Sequence, residues 1–296
     1  MSARADVLTQ AECAALVPAL ARDANKYTRG VLAVIGGSSA YPAAPIMAAQ
    51  AASRAGAGYV RLLVPRQAAE VARAHVRSVT VSPCTATASG VFDPESAASV
   101  VQEASRADAL AIGPGLSAGG VAGDFLDKLL ACLHERGDTR PALLDADALT
   151  LMAAHPQLAE LREGCDDVMS PHEGEAARLL GRRVACREAD ALELAHRYGC
   201  TVVLKGPDTL VAAPDGRLRC CAEGGPELAK AGTGDVLSGI IGSFLAQGSS
   251  AFDAACLATF VHGRAGRLAA AEMSARAVMA EDIIEFIGRA FMSMGV

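Results

Sequence analysis

The sequence predicts an α/β protein with a mostly parallel central sheet and helices on both faces. Two features point to it. Short apolar runs alternate with Ala-rich helical stretches along most of the 296 residues, the mark of parallel βαβ units. Several of those runs are apolar without a break, as in strands buried on both sides.

Taken in order, apolar runs predict strands at Val31–Ile35, Tyr59–Val64, Ala109–Ile112, Ala142–Leu144, Asp167–Met169 and Val202–Leu204. Helical segments between them include Pro45–Arg54, Val121–Arg136 and Ala189–Tyr198. The rhythm changes at Thr209–Cys221, where TLVAA, PDG and RLRCC predict a hairpin turning on Pro214-Asp215-Gly216. From Gly234 onward the pattern is mainly helical. No repeat, linker or composition break divides the chain, so one domain over residues 1–296 is expected, with residues 1–25 as an N-terminal extension.

Composition excludes several functions. Net charge is −6 and the basic cluster Arg182-Arg183 is short, so nucleic acid is not an expected partner. No run reaches the ~18 apolar residues of a membrane span. The N-terminal stretch holds Asp6 and Glu12 and lacks the apolar centre of a signal peptide. Nine scattered cysteines without a C-x-x-C pair predict reduced thiols and a cytoplasmic protein. Cys165 and His172 have no further partners at ligand spacing, so no zinc site is expected.

In open α/β sheets function gathers where strands end and helices begin. The first such joint is Gly36–Pro45 (GGSSAYPAAP), whose two glycines permit close backbone approach. It does not fit the dinucleotide pattern G-x-G-x-x-G, and no P-loop occurs in the chain. The second, Ile112–Leu116 (IGPGL), is a fixed turn with exposed amides. At the third, Asp147 can cap the following helix, while Asp145 is better placed to orient a ligand or a metal-bound water.

The fourth joint is Met169–Glu175 (MSPHEGE). Ser170 and Pro171 predict N-cap and first helical position, which puts His172 and Glu175 in the first turn on one face. Lys205 ends a strand, either exposed or facing phosphate charge. The last joint is Ala231–Gly248 (AGTGDVLSGIIGSFLAQG), a glycine turn entering an apolar helix. Asp235 there is either a helix cap or a catalytic group beside amides that suit an anion.

In this order the joints resemble the ADP-dependent NAD(P)H-hydrate dehydratases, carbohydrate-kinase-like members of the ribokinase-like superfamily. The resemblance rests on GGSSAYPAAP, AGAG at 55–58, IGPGL, DADAL at 145–149, SPHEGEAARLLG at 170–181, VVLKG at 202–206, GTGDVLSGII at 232–241, HGRAG at 262–266 and AEDII at 280–284. It runs from about Lys26 to Ile287. Five positions depart from the family pattern: Ala43 and Ser117 stand where glycine is usual, Glu173 where proline is, and Lys230-Ala231 where Thr-Gly is. The methyl groups of Ala43 and Ala231 are expected to crowd substrate or phosphate.

The resemblance implies a ribokinase-like fold and dehydration of the (6S)-hydrate of NADH or NADPH (NADHX or NADPHX). ADP would be converted to AMP and phosphate with Mg²⁺ as cofactor, a lyase reaction that repairs the nicotinamide nucleotide. It implies that Ala44, Gly115, His172 and Asp235 contact the hydrate, with Asp235 the catalytic base. Lys205, Gly206, Pro207, Asp208, Thr209, Gly232, Thr233 and Gly234 would hold ADP, and Glu175 would bind Mg²⁺ indirectly. It also implies a homo-oligomer, a tetramer, and a stand-alone dehydratase, since the family's usual epimerase partner has no room in 296 residues. A small-molecule kinase of the same superfamily and a non-catalytic nucleotide-binding protein are the alternatives.

Overall fold

The computed structural model describes residues 5–296. Its strands are β1 (Asp6–Val7), β2 (Val31–Ile35), β3 (Tyr59–Pro65), β4 (Thr80–Cys84), β5 (Ala109–Ile112), β6 (Ala142–Leu144), β7 (Val168–Met169), β8 (Thr201–Leu204), β9 (Thr209–Ala212) and β10 (Leu218–Cys221). The helices are α1 (Gln10–Ala15), α2 (Ala43–Arg54), α3 (Arg66–His75), α4 (Ala97–Glu103), α5 (Val121–Glu135), α6 (Asp147–Ala154), α7 (Glu173–Leu180), α8 (Arg187–Tyr198), α9 (Thr233–Ala246), α10 (Ala251–Met273) and α11 (Ala280–Met294).

Among the described residues the strands form one sheet in the order β1-β10-β9-β8-β7-β6-β5-β2-β3-β4. Neighbours run parallel except at β9–β10, the expected hairpin, and at β8–β9, an antiparallel pairing outside the sequence expectation. Alternation along a strand divides the core in two. Leu32 and Val34 face the side covered by α2, α9, α10 and α11. Val31, Ala33 and Ile35 face the side covered by α4 to α8. Helix α9 is buried almost all round, as its uniformly apolar sequence requires. It lies against β2, β5 and β6 on one side and α2, α10 and α11 on the other.

Several boundaries differ from the sequence expectation. Helix α2 starts at Ala43 rather than Pro45, and β7 starts at Val168 rather than Asp167. Strand β4 and helix α3 have no counterpart in the expected elements. Part of the expected N-terminal extension is built into the sheet: β1 pairs with β10, placing Asp6 opposite Arg219. A Thr9–Glu12 capping box then starts α1. No helix of the described residues is long and apolar enough to cross a membrane. All nine cysteines are free.

Candidate functional site

Strands β2, β5, β6, β7 and β8 are consecutive neighbours, so their carboxyl ends form a row. Backbone hydrogen bonds stitch the joints together: Gly37 N–H to Pro114 O at 2.8 Å, Asp145 N–H to Ile112 O at 3.1 Å, Ser170 N–H to Leu144 O at 3.2 Å and Lys205 N–H to Pro171 O at 2.8 Å. Motifs more than 100 residues apart in sequence thus share one edge.

At one end of the row Gly115 approaches the start of α2. A Cβ on Gly115 would stand 2.6 Å from Tyr41 O and 3.3 Å from the Ala44 Cβ, so the close approach to the Tyr41 carbonyl needs a glycine. Ala43 is exposed at the first position of α2. Ser117, where the family pattern has glycine, has a left-handed backbone, φ +76°. Its N–H donates to Asp147 Oδ2 at 2.8 Å, and its hydroxyl meets Ser38 Oγ at 3.0 Å. Asp147 is therefore not a cap; α6 has Ala146 at that position and no side-chain cap. Burial pushes the Asp147 carboxyl up, against the pull of the Ser117 amide.

The fourth joint corrects another expectation. The N-cap of α7 is His172, not Ser170, so His172 stands just outside the first turn. Its Nδ1 accepts from Gly174 N–H at 2.9 Å and from Glu175 N–H at 3.4 Å. Glu175 Oε2 returns the favour by accepting from His172 N–H at 2.8 Å, closing a capping box. The His172 side chain is 55% exposed and Glu175 only 8%. Burial pushes the Glu175 carboxyl up, while Lys205 opposes it.

Lys205 is not an exposed strand end. Its Nζ lies 2.8 Å from Asp145 Oδ1, and Asp145 Oδ2 accepts from Ser238 of α9. Burial disfavours the Lys205 charge, yet Asp145 and Glu175 outweigh it and hold its pKa above the usual value. Asp235 stands in the first turn of α9, which has Gly232 (φ +90°) as N-cap and no side-chain cap. The cap alternative for Asp235 is thereby excluded. Burial, then the neighbouring Asp145, pushes its carboxyl from 3.8 up to about 7, with Lys205 pulling the other way. A carboxylate in that range is poised for proton transfer near neutrality.

Beside Lys205 lies a cavity of about 500 Å³, lined by Lys205 to Thr209, the Ala222–Pro226 segment, Thr233, Gly234 and His262. It brings the expected nucleotide residues together, apart from Gly232, which is not in its wall. Ala44, Gly115 and His172 lie outside it. Buried His262, from HGRAG, had no assigned role. Its Nε2 has no partner, and burial lowers its pKa to about 4, so it is neutral at pH 7. Ala231 is exposed and is not among the left-handed residues, so its backbone makes no demand for glycine. Among the described residues no three His, Cys, Asp or Glu side chains form a metal cage. Asp145, Glu175 and Asp235 face Lys205 with an excess of negative charge, which fits Mg²⁺ held mainly by phosphates and water.

One mostly parallel ten-stranded sheet with helices on both faces gives the chain a ribokinase-like α/β fold. Within that class the chain belongs to the NAD(P)H-hydrate dehydratase family, whose model matches residues 32–289. An ADP-dependent (S)-NAD(P)H-hydrate dehydratase of Neisseria meningitidis is 38% identical over 252 residues, covering 83% of this chain and 79% of that protein. A bifunctional NAD(P)H-hydrate repair enzyme of Moorella thermoacetica is 35% identical over 285 residues, 95% of this chain and 53% of that protein. The chain thus spans about half the length of the bifunctional enzymes it matches. An ADP/ATP-dependent NAD(P)H-hydrate dehydratase from Bacillus subtilis, co-crystallised with ATP and Mg²⁺, superposes with a TM-score of 0.81 at 25% identity. It covers 98% of this chain and 99% of the Bacillus chain.

Proposed function

We propose that this chain dehydrates the (6S)-hydrate of NADH or NADPH back to the reduced nucleotide, converting ADP to AMP and phosphate. The proposal rests on Asp235, an uncapped carboxylate pushed up to about 7 at a helix N-terminus beside Lys205. ADP occupies the cavity at Lys205, Gly206, Pro207, Asp208 and Thr209, with its phosphates toward Thr233, Gly234 and the Gly232 turn. Amides at the start of α9 then face the transferring phosphoryl group and stabilise its charge. The hydrate lies along Ala44, Gly115 and His172 with its hydroxyl at Asp235.

Asp235 accepts the hydroxyl proton as the new O–P bond forms and the bond to AMP breaks. The phosphorylated hydroxyl then leaves as phosphate, expelled by the lone pair of the ring nitrogen. Loss of the proton from the adjacent ring carbon to the departing phosphate or to water restores the ring double bond. Lys205, paired with Asp145, supplies positive charge near the phosphates. Glu175 would hold Mg²⁺ through water, and the ion would neutralise phosphate charge there. The same proposal includes a cytoplasmic homotetramer; nine free thiols fit a reducing compartment.

The test is incubation with NADHX or NADPHX, Mg²⁺ and either ADP or ATP, following recovery of the reduced-nicotinamide absorbance. Recovery with release of AMP and phosphate is expected. A stable phosphorylated alcohol would instead identify a kinase, and no reaction a non-catalytic nucleotide binder.

A further inference from the structure

Arg187 opens α8 and reaches across the carboxyl end of β8. Its guanidinium donates to the carbonyls of Pro207, Leu204 at 3.2 Å and Asp208 at 3.4 Å. One side chain therefore gathers three carbonyls around the Lys205–Thr209 loop. The loop bends hard at this place: Gly206 has φ +149° and Asp208, a residue with a Cβ, has φ +52°. Aspartate adopts left-handed backbone as a single residue more readily than most side chains but less readily than glycine, and the Arg187 bonds to the carbonyls on either side brace it there. A Cβ on Gly206 would stand 2.8 Å from Arg187 Nη2, so glycine lets the guanidinium lie against the backbone.

The other edge of the guanidinium points elsewhere. Arg187 Nε, buried and without a hydrogen bond, lies 3.4 Å from Glu173 Oε1. Glu173 is the first residue of α7 and directly follows His172. A proline at 173, as in the family pattern, would offer no carboxylate to this arginine.

We infer that Arg187 is a positioning residue for the nucleotide, holding the Lys205–Thr209 loop in shape and tying it through Glu173 to the helix start that carries His172. This rests on the proposed assignment of that loop to ADP. Arg187 touches no reacting atom; it acts by fixing the backbone of the loop proposed to hold ADP. The arrangement links the two sides of the site, so a change at Glu173 is felt at the nucleotide loop.

The test measures ADP binding to the full chain by calorimetry with Mg²⁺, and kcat and both KM values with NADHX. Arg187→Ala should raise the Kd and KM for ADP about tenfold, the scale of lost charge-assisted hydrogen bonds. Its kcat and its KM for NADHX should change much less, and added guanidinium ion should recover part of the ADP affinity. Arg187→Lys keeps the charge and guards against a folding defect. Its ADP affinity should stay reduced, because an ammonium lacks the planar fork that spans several carbonyls. Glu173→Gln should raise the KM for ADP about two- to threefold, the range of a partly exposed ion pair. Unchanged ADP affinity in Arg187→Ala overturns the inference, as does a fall in kcat with both KM values steady. Wild-type affinity in Arg187→Lys overturns it too. A wild type that neither binds ADP nor converts NADHX overturns the proposed function instead, a result distinct from each of these.

Discussion

Asp235→Asn should slow catalysis sharply and stabilise the fold at the same time, and the second effect follows from electrostatics. In the unfolded chain this carboxyl ionises near 3.8, but in the folded chain only near about 7. Between those values the folded state holds a proton that the unfolded state has released. Stability contributed by this group therefore falls as pH rises through the window, and above it the full cost of ionising a buried acid is present. Asparagine has nearly the same shape and no charge to titrate. At 1.36 kcal/mol per pH unit, the stability difference between variant and wild type should widen by about 2 to 3 kcal/mol from pH 5 to pH 8. Lys205 keeps its partner Asp145 in the variant, so the substitution strands no buried cation.

Denaturant unfolding of both proteins at the two pH values measures the widening directly. Turnover should drop by a factor of about 10² or more, the scale of a lost general base. Wild-type kcat/KM should rise with pH through about 7 as the base deprotonates. A stability difference that stays constant or narrows with pH would refute the account of the raised carboxyl. Turnover close to wild type would refute Asp235 as the base.

His172→Ala should cost about 1 kcal/mol of stability through the lost N-cap and weaken hydrate binding more than ADP binding. His172→Ser restores a capping oxygen, so it should recover the stability but not the hydrate KM; recovery of both would make His172 a cap alone. Ser117→Gly should relieve the left-handed backbone at φ +76° and raise unfolding free energy by up to about 1 kcal/mol. A lower denaturation midpoint would mean that the hydroxyl contact with Ser38 outweighs the strain.

Much of this was legible along the chain because glycine and proline punctuate the joints, and long apolar runs between them have few alternatives. Strand β4 was not legible: TVSPC is partly exposed, carries a proline and sits at the sheet edge. Helix α3 follows Pro65 without a side-chain cap, so no start signal marks it. The register at His172 was misjudged because Ser-Pro normally opens a helix, whereas here both residues extend the strand line. Ser170 N–H still pairs with Leu144 O and Pro171 O with Lys205 N–H. Asp147 looked like a cap until Ser117, thirty positions earlier, claimed its carboxylate. The pairing of Lys205 with Asp145 crosses sixty residues, and no local pattern announces it.

The row of strand ends acts as a ruler. Neighbouring strands are held about 4.8 Å apart by their backbone hydrogen bonds, so four steps from β2 to β8 span about 19 Å. Stations for ligand groups are thus graduated by the sheet and not by the side chains that occupy them. A substitution at one joint alters the grip there and leaves the spacing of the others intact. Length changes in the helices and loops between strands leave the scale unaltered as well, because the backbone hydrogen bonds between strands set it and the connections do not. What would recalibrate it is a change of strand order, which single substitutions do not bring about.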